Sequence, residues 1–366
     1  MKRRLSIAIL NYTIGVVERG GEIGVRMMAD DLARLGHQVD VYHAQALLRQ
    51  PFFHSIVVNL PWLPSGNKPG GLLMKVLERL YLDANGWLSL MFMVKAFFQL
   101  WKKRYDIFFP VNGWWEILGV KIIARWRGGK VVVSGKSGIG WTDRDNLRLR
   151  PDIFVPISSV AANWARQLFP RQKVEYIPEQ IDLTKFNPKV TPIKIPLKKP
   201  IILTVAAFNQ YKRVDTVIRA VSKIPGVSLL LVGQGEGEEQ LRELANELLP
   251  NRHLFYRSTY QELPSVYTAC DVFTLASEPQ EAFGRVLIEA QACGLPVVTT
   301  DDRLRRAIVG KRGIFIDPLS EEAYAAALEK ALGRKKPDEE AQTWVVQFER
   351  QVVAKRYEKV FYDLVV

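Results

Sequence analysis

Residues 281–298 read EAFGRVLIEAQACGLPVV, and the rest of the chain is interpreted around this stretch. It predicts a loop, a helix that begins near Gly284, a glycine C-cap at Gly294 and a buried strand after the proline. The first turn of such a helix offers backbone N–H groups and a partial positive charge, so it can bind an anion. Glu281 precedes this anion site and Glu289 lies inside the helix, so two carboxylates flank it. The alternative is that both are ordinary solvated acids at a helix start.

The length of 366 residues suits two domains better than one core. The formal charge of +13 favours an anionic partner, which includes a nucleotide, a phosphate-bearing acceptor, an anionic membrane face and a nucleic acid. The two cysteines and four histidines form no CxxC or HExxH spacing. The sequence therefore predicts neither a disulfide framework nor a structural zinc site, and it fits a reducing cytoplasm.

Strand and helix signals alternate through both halves of the chain. The first half begins with a strand at Leu5–Asn11, which is too short for a signal peptide, followed by a loop that ends in Gly20-Gly21 and a helix at Ile23–Leu35. In a parallel sheet the glycine pair lies at the carboxyl end of the strand, where such folds bind ligands. The alternative is a tight turn that binds nothing.

A stretch rich in Pro and Lys, Phe186 to Pro200, predicts a linker, after which the same alternation repeats. We therefore expect an α/β protein of two doubly wound domains that face each other across a cleft. The predicted domains are residues 1–186 and 187–342. Apolar residues at helical spacing predict one long helix, Thr343–Leu364, through which residues 343–366 cross back to the first domain.

Basic and aromatic residues alternate between Leu72 and Arg104, where one or two amphipathic helices are predicted. Such a surface suits peripheral contact with an anionic membrane face, although a core helix with a solvated rim is the alternative. The most apolar part, Trp87–Trp101, is interrupted by Lys95 and Gln99 and is too short to span a bilayer. The expected location is cytoplasmic, with peripheral contact to the inner membrane face as an option.

Two glycine-rich segments do not match nucleotide-binding loops. Gly135-Lys136-Ser137 lacks the glycine that a Walker A loop requires five residues earlier, where this chain has Lys130. Gly233–Gly237 has its third glycine misplaced for a dinucleotide fingerprint. Both are predicted as loops after strands, and the first carries one cation.

Several motifs together resemble the retaining GT-B glycosyltransferases of family 4. They are Gly20-Gly21 with Gly36-His37, Lys212-Arg213 after the first strand of the second half, Glu281 and Glu289 with seven residues between them, and Gly294–Val298. The resemblance implies two Rossmann-like domains, the first for the acceptor and the second for the donor. It further implies transfer of a sugar from a nucleotide-diphosphate donor to a saccharide, lipid-linked or other glycoconjugate acceptor, with retention and without a cofactor or bound metal.

The resemblance also implies roles for individual residues. Glu281 would hold hydroxyls of the donor sugar, and it is predicted as catalytic together with Lys136. Glu289 would accept hydrogen bonds from the ribose hydroxyls. The leaving diphosphate would be neutralised by cations and by the helix N-terminus. The predicted donor-binding set is Gly21, Lys212, Arg213, Phe283, Gly284, Arg285, Val286 and Glu289.

The chain departs from the family pattern at three places. Ala206-Ala207 stands where an arginine is usual, and Arg213 is the candidate substitute. Lys136 replaces a histidine, and its fixed charge would suit an acidic sugar or acceptor. Pro178-Glu179-Gln180 replaces a Pro-Asn-Gly turn.

Two other classes of function stay open. One is a nucleotide-sugar epimerase or hydrolase on the same scaffold, because one fold hosts several activities. The other is a protein that binds anionic ligands or nucleic acid, which the charge alone suggests. The combination of Lys212, Glu281 and Glu289 favours a sugar nucleotide, since the sequence lacks the aromatic and basic array of a nucleic-acid module.

Overall fold

The computed structural model describes residues 3–14, 20–44, 52–60, 79–111, 113–279 and 281–365. The chain divides into unit 1, residues 1–179 with 350–366, and unit 2, residues 180–349. The two boundaries therefore lie at 179/180 and 349/350, where the sequence predicted 186/187 and 342/343. The segment predicted as a linker, 186–200, lies inside unit 2. The loop predicted at 61–71 and the start of the helical region predicted from 72 lie outside the described residues.

Unit 1 is built from parallel strands and the helices that connect them. Its elements up to residue 179 are β1 (Ser6–Leu10), α1 (Gly20–Arg34), β2 (Gln38–His43), β3 (His54–Val57), α2 (Ala84–Lys102), β4 (Ile107–Pro110), α3 (Trp114–Arg127), β5 (Lys130–Gly135), α4 (Trp141–Arg148), β6 (Ile153–Pro156) and α5 (Ser159–Leu168).

The strands of unit 1 form one parallel sheet in the order β3-β2-β1-β4-β5-β6. Side chains of β1 alternate between its two faces, because successive residues of a strand point to opposite sides. Ile7 and Ile9 belong to a core with α1, whereas Ala8 and Leu10 belong to a second core with α2 and α3. Helices thus cover both faces of the sheet, as in a doubly wound fold.

Unit 2 repeats this architecture. Its elements are β7 (Ile201–Val205), α6 (Val214–Ser222), β8 (Ser228–Val232), α7 (Glu238–Leu248), β9 (His253–Tyr256), α8 (Leu263–Ala269), β10 (Val272–Leu275), α9 (Arg285–Ala292), β11 (Val297–Thr300), α10 (Arg303–Val309), β12 (Ile314–Ile316), α11 (Glu321–Leu332) and α12 (Glu339–Val345).

The sheet of unit 2 has the order β12-β11-β10-β7-β8-β9. When the strands of each unit are numbered from one to six, both sheets have the order 3-2-1-4-5-6, which is the Rossmann arrangement. The prediction of two Rossmann-like doubly wound domains is therefore confirmed. In unit 2 the connections change direction between β7 and β10, and ligands of such sheets bind at this switch point.

The last helix, α13 (Arg350–Val365), belongs to unit 1. Its Tyr357 and Phe361 pack against Phe109 of β4, and Arg350 pairs with Asp31 of α1 through Nη2 and Oδ1 at 2.7 Å. The predicted return of the C-terminus to the first domain is confirmed, but the single helix at 343–364 was wrong. The helical path is interrupted between α12 and α13.

The break follows from contacts at residues 348 and 349 rather than from a local signal. The carbonyl of Phe348 accepts a hydrogen bond from the N–H of Ile181 at 2.8 Å, and the carboxylate of Glu349 accepts one from the N–H of Leu183 at 2.9 Å. Glu349 has an extended ψ of 134°, which ends the helical path. The two points at which the chain enters and leaves unit 2 are therefore hydrogen-bonded neighbours.

The structure corrects the prediction for Gly20 and Gly21. Gly20 and Gly21 form the first turn of α1 rather than a loop before it. A Cβ built on Gly21 meets no atom within 4 Å, so the backbone there does not require glycine for space. Among the helices that the structure describes, none is long and apolar enough to cross a membrane.

Candidate functional site

The carboxyl ends of three neighbouring strands in unit 2 bring charged side chains together. Lys212 follows β7, Glu281 follows β10, and Arg305 lies in the first turn of α10 after β11. These strands are adjacent in the sheet, so the loops after them meet at one edge. This edge includes the switch point between β7 and β10.

The Glu281 carboxylate is held between two cations. Lys212 Nζ donates to Glu281 Oε1, and Arg305 Nη2 lies 3.2 Å from Glu281 Oε2. Burial alone would raise the pKa of Glu281, but Lys212 and Arg305 together hold this pKa below its usual value. Glu281 is therefore an ionised carboxylate, fixed in orientation through both oxygens.

Arg305 is the main residue of this cluster that the sequence did not reveal. Its side chain is 0% exposed. Nη2 also donates to the carbonyls of Ser277 at 3.2 Å and Glu278 at 2.7 Å, and Nη1 pairs with Asp302, which caps α10. Arg305 therefore fastens the start of α10 to the loop that carries Glu281.

Arg213 has a different partner from its neighbour Lys212. It adopts a left-handed backbone with φ 46°, and its Nη2 lies 3.2 Å from Glu278 Oε1. Both side chains are partly exposed, at 25% and 28%. The predicted substitute for the family arginine is therefore in an ion pair, beside the same loop that carries Glu281.

The start of α9 matches the prediction closely. Gly284 is the N-cap residue with φ 84°, a backbone region that other residues rarely adopt. A Cβ built at Gly284 would lie 3.5 Å from the Glu281 carboxyl carbon, so this carboxylate is directly beside the helix start. Phe283 is buried and packs edge-on against Phe348, which anchors the loop from the other side. The helix ends at Ala292 with Cys293 as the C-cap residue, and the next residue, Gly294, has φ 83°, which confirms the predicted glycine at the helix end.

Glu289 and Arg285 lie inside unit 2 rather than on a solvated helix face. Glu289 is 3% exposed and its Oε2 accepts a hydrogen bond from the hydroxyl of Tyr267 at 3.0 Å. Arg285 Nη2 donates to the hydroxyl of Tyr260 at 3.0 Å, and its Nε lies 3.8 Å from Glu289 Oε1. The interpretation of Glu289 as an ordinary solvated acid is thereby wrong. Val286 joins this group because its carbonyl lies 3.5 Å from the hydroxyl of Tyr267.

Burial raises the pKa of Glu289, and the nearby Arg285 and the hydrogen bond from Tyr267 offset this only in part. Glu289 and Glu281 therefore differ in their electrostatics, although both are acids at the same helix. Glu281 is stabilised as an anion, whereas Glu289 is a carboxylate whose charge is incompletely compensated.

Two predicted site residues lie in unit 1. Gly21 is in the first turn of α1, and Lys136 directly follows β5. Lys136 Nζ lies 2.5 Å from Glu179 Oε1, and this carboxylate is 5% exposed. Two of the three departures from the family pattern, Lys136 and Glu179, are thus partners in one ion pair, which their separation of 43 residues concealed.

A buried acid supports the loop that carries Lys136. Asp143 of α4 is 1% exposed, and its carboxylate accepts hydrogen bonds from the backbone of Ser137 and Gly138. Burial raises the pKa of Asp143 to about 7, because these two bonds offset the desolvation only in part.

In the described part of the chain, no group of three or more His, Cys, Asp or Glu residues could hold a metal ion.

Sequence comparison identifies a family model for the second half of the chain and relatives that align with a little under half of it. Residues 187–344 match the family model described as Glycosyl transferases group 1. The lipopolysaccharide core biosynthesis glycosyltransferase LpsE of Rhizobium meliloti is 29% identical over 169 residues, which are 44% of this chain and 49% of LpsE. A GDP-mannose-dependent monoacylated alpha-(1-6)-phosphatidylinositol monomannoside mannosyltransferase of Corynebacterium glutamicum is 27% identical over 203 residues, 48% of this chain and 53% of that protein. The matches thus span about half the length of these curated relatives.

Comparison with solved structures covers the whole chain. The Anabaena protein HepE, solved in complex with UDP and glucose, has a TM-score of 0.74 at 17% identity and covers 98% of this chain and 100% of its own. The sucrose-phosphate synthase of Thermosynechococcus elongatus has a TM-score of 0.75 at 20% identity, with 99% of both chains covered. At these identities the likeness concerns the fold, and it agrees with the predicted GT-B fold. Residues 187–344 thus match the glycosyl transferases group 1 family, within a chain of GT-B fold, whereas family 4 and retention of configuration stay predictions.

Proposed function

We propose that the protein is a retaining glycosyltransferase, which moves a sugar from a nucleoside-diphosphate donor to a saccharide, lipid-linked or other glycoconjugate acceptor without a bound metal. One observation carries this proposal. An ionised Glu281, oriented through both oxygens by Lys212 and Arg305, lies beside the N-terminus of α9 at the switch point of a Rossmann-like sheet. This arrangement supplies a fixed acceptor for sugar hydroxyls next to a site that attracts phosphate.

The diphosphate of the donor would bind at the start of α9, next to Lys212. Backbone N–H groups of the first helical turn and the partial positive charge of the helix favour an anion there. Lys212 is bonded to Glu281 and a quarter exposed, so its ammonium group can turn from the carboxylate to a phosphate oxygen. As the bond between the anomeric carbon and the phosphate oxygen breaks, its electron pair passes to the diphosphate, whose new charge these groups would stabilise.

Glu281 would bind the sugar itself. When Lys212 turns to the diphosphate, Glu281 Oε1 becomes available to accept hydrogen bonds from sugar hydroxyls. Arg305 keeps its contact to Oε2 and therefore holds the carboxylate in place. An orientation fixed before the substrate arrives lowers the cost of reaching the transition state. The acceptor oxygen would attack the face that the diphosphate leaves, and its proton would pass to the departing phosphate oxygen.

Glu289 would bind the ribose of the nucleotide. Burial raises the pKa of Glu289, and Arg285 and the hydrogen bond from Tyr267 offset this only in part, so the ionised form gains from further hydrogen-bond donors. Two ribose hydroxyls would supply such donors, so donor binding should lower the pKa of Glu289 and release a proton from any fraction that is protonated. Arg285 and Tyr267 would keep the carboxylate aligned.

Lys136 is proposed to act in the acceptor unit. Because Glu179 neutralises it, an acidic sugar or acceptor gains from Lys136 only by displacing Glu179. The relatives named above act in lipopolysaccharide core synthesis and on a phosphatidylinositol mannoside, which supports a glycoconjugate acceptor. A Lys136→His enzyme tests whether this charge selects an acidic group. If its relative turnover of neutral and acidic donors equals that of the parent, the charge of Lys136 does not select an acidic group.

The test begins with the donor. Thermal unfolding in the presence of UDP, GDP and other nucleoside diphosphates selects the base, and the matching sugar nucleotides select the donor. Product analysis by NMR then gives the configuration at the anomeric carbon. A transferase consumes the donor completely only when an acceptor is present, whereas an epimerase or hydrolase converts the donor alone. Inversion of configuration, or loss of activity on removal of divalent metal by EDTA, would contradict the proposal.

A further inference from the structure

An exposed apolar stripe runs along α2 in unit 1. Trp87, Val94 and Phe98 are exposed at spacings of seven and four residues, and Phe98 is 72% exposed. The residues that face the sheet, Leu88, Phe92, Ala96 and Leu100, lie on the opposite side of the helix. The stripe is therefore the outermost side of α2, which we call the crest, and the side chains of the stripe project from the surface.

The neighbouring helix α3 extends this surface. A Cβ built on Gly119 of α3 would lie 2.4 Å from Cγ of Met93, which shows the flank on which α3 faces α2. Ile122 and Trp126 follow Gly119 by three and seven residues, so they lie on this flank, and Trp126 is 74% exposed. Both helices pack on the same face of the sheet, so their outer sides share one surface.

Aromatic residues of α2 also lie between the crest and α3. Phe97 and Trp101 stack with their ring centroids 5.6 Å apart, and Phe97 meets Phe98 edge-on. We call the surface formed by Val94, Phe97, Phe98, Trp101, Ile122 and Trp126 the aromatic face. Contiguous exposed apolar surface of this kind is uncommon on a protein without a partner there.

The two helices contribute exposed cations and no exposed acid beside the aromatic face. α2 contains no acidic residue, and the one acid of α3, Glu116, is buried. Short connections join α2 to β4 and β4 to α3, so the two helices run in the same direction. Their C-terminal ends therefore lie together, and they bring the exposed Lys102, Arg104 and Arg125 to one end of the aromatic face.

We propose that the aromatic face docks the protein on a lipid bilayer that carries anionic headgroups. Protruding Phe and Trp side chains insert readily into a soft interface, where indole and phenyl rings are favoured. The cations at one end would meet lipid phosphates, and no exposed acid on either helix opposes them. A second copy of the chain is a poorer occupant, because a symmetric contact would bring the same cations together. The helices lie on the membrane and do not cross it.

The proposal is independent of the glycosyltransferase reaction and is tested by binding alone. Full-length protein is sedimented with vesicles of phosphatidylcholine, and with vesicles that contain about one third phosphatidylglycerol. We expect binding to the anionic vesicles that weakens as salt rises, because the Debye length falls from ~10 Å at 0.1 M to ~3 Å at 1 M. Phe98→Ser with Trp126→Ser should reduce the partition coefficient about tenfold or more, and Lys102→Glu with Arg125→Glu should do the same.

Leu319→Ser is the matched control, because Leu319 is 71% exposed and lies in unit 2. It should bind vesicles as the unchanged protein does. The substituted residues are exposed, so thermal unfolding of all variants should match the parent. Absence of binding to anionic vesicles, or equal binding by the Phe98 and Trp126 variant, would overturn the proposal. So would a dimer in light scattering that this variant dissociates, since a second copy would then cover the face.

Discussion

The Glu281→Gln substitution is the sharpest test of the candidate site. Glutamine keeps the shape and burial of the side chain but removes the negative charge between Lys212 and Arg305. The single amide oxygen can accept a hydrogen bond from only one of the two cations. The amide NH2 group is a donor, so it repels the other cation. The variant therefore alters the orientation and the charge of the group that is proposed to hold the sugar, with little change in volume.

The magnitude follows from the contacts of Glu281. A hydrogen bond to a charged group contributes about 1.5–3 kcal/mol. If the bond from the sugar to Glu281 is strongest in the transition state, its weakening lowers kcat by about 10²-fold, since ~1.4 kcal/mol corresponds to a tenfold change in rate. KM for the donor should change much less. The retained contacts of Arg305 to Asp302, Ser277 and Glu278 should keep the loop in place.

The assay measures release of the nucleoside diphosphate with donor and acceptor at saturation. Asp271→Asn is the control, because Asp271 also pairs with a lysine, Lys336 at 3.0 Å, but lies before β10, at the opposite edge of the same sheet. Its kcat should stay within about twofold of the parent. A Glu281→Gln enzyme with kcat close to that of the parent would refute the reasoning, as would an equal loss in the Asp271→Asn enzyme.

Four further substitutions probe charge and backbone. Glu289→Gln should weaken nucleoside diphosphate binding about tenfold by calorimetry. The pKa of Glu289 is raised in the folded state, so the folded parent becomes less stable as pH rises and this carboxyl ionises. In urea unfolding from pH 4 to pH 8 the variant should therefore gain stability relative to the parent. A difference in unfolding free energy that does not change with pH would contradict the burial argument. Asp143→Asn should show the same pH dependence. Between the unfolded pKa of 3.8 and the folded pKa of about 7, the parent should lose about 1.4 kcal/mol of stability per pH unit relative to the variant. A stability difference that does not depend on pH would show that Asp143 does not have a raised pKa. Gly284→Ala should destabilise by about 1–2 kcal/mol in denaturant unfolding because of its φ of 84°, whereas Gly21→Ala, at an open helical position, should be neutral or stabilising.

The sequence predicted well what depends on local pattern. Hydrophobic periodicity and glycine positions located the two α/β units, the start of α9 and its cap at Gly294, because these features are encoded within a few residues. The pairing of Glu281 with the lysine after β7 is consistent with the family motif, and the strand order explains why the two meet.

Features that depend on distant contacts were not predictable in the same way. Arg303, Arg305 and Arg306 occur within four positions, and nothing in that run shows that the second is completely buried beneath the Glu281 loop. The ion pair between Lys136 and Glu179 joins two motifs that the sequence treats separately. The helix break at Glu349 carries neither glycine nor proline, because it is caused by hydrogen bonds to residues 181 and 183.

Those same hydrogen bonds bring the two ends of unit 2 together. The entry of the chain at Ile181 and Leu183 and its exit at Phe348 and Glu349 are joined directly, so residues 180–349 form a cassette whose two ends meet at one point. A cassette of this kind can be exchanged as a single piece, because a transplant has to match the host at one location instead of two distant ones. Recombination between relatives could thus replace the whole of unit 2 while the first and last segments of the chain continue to fold together as unit 1.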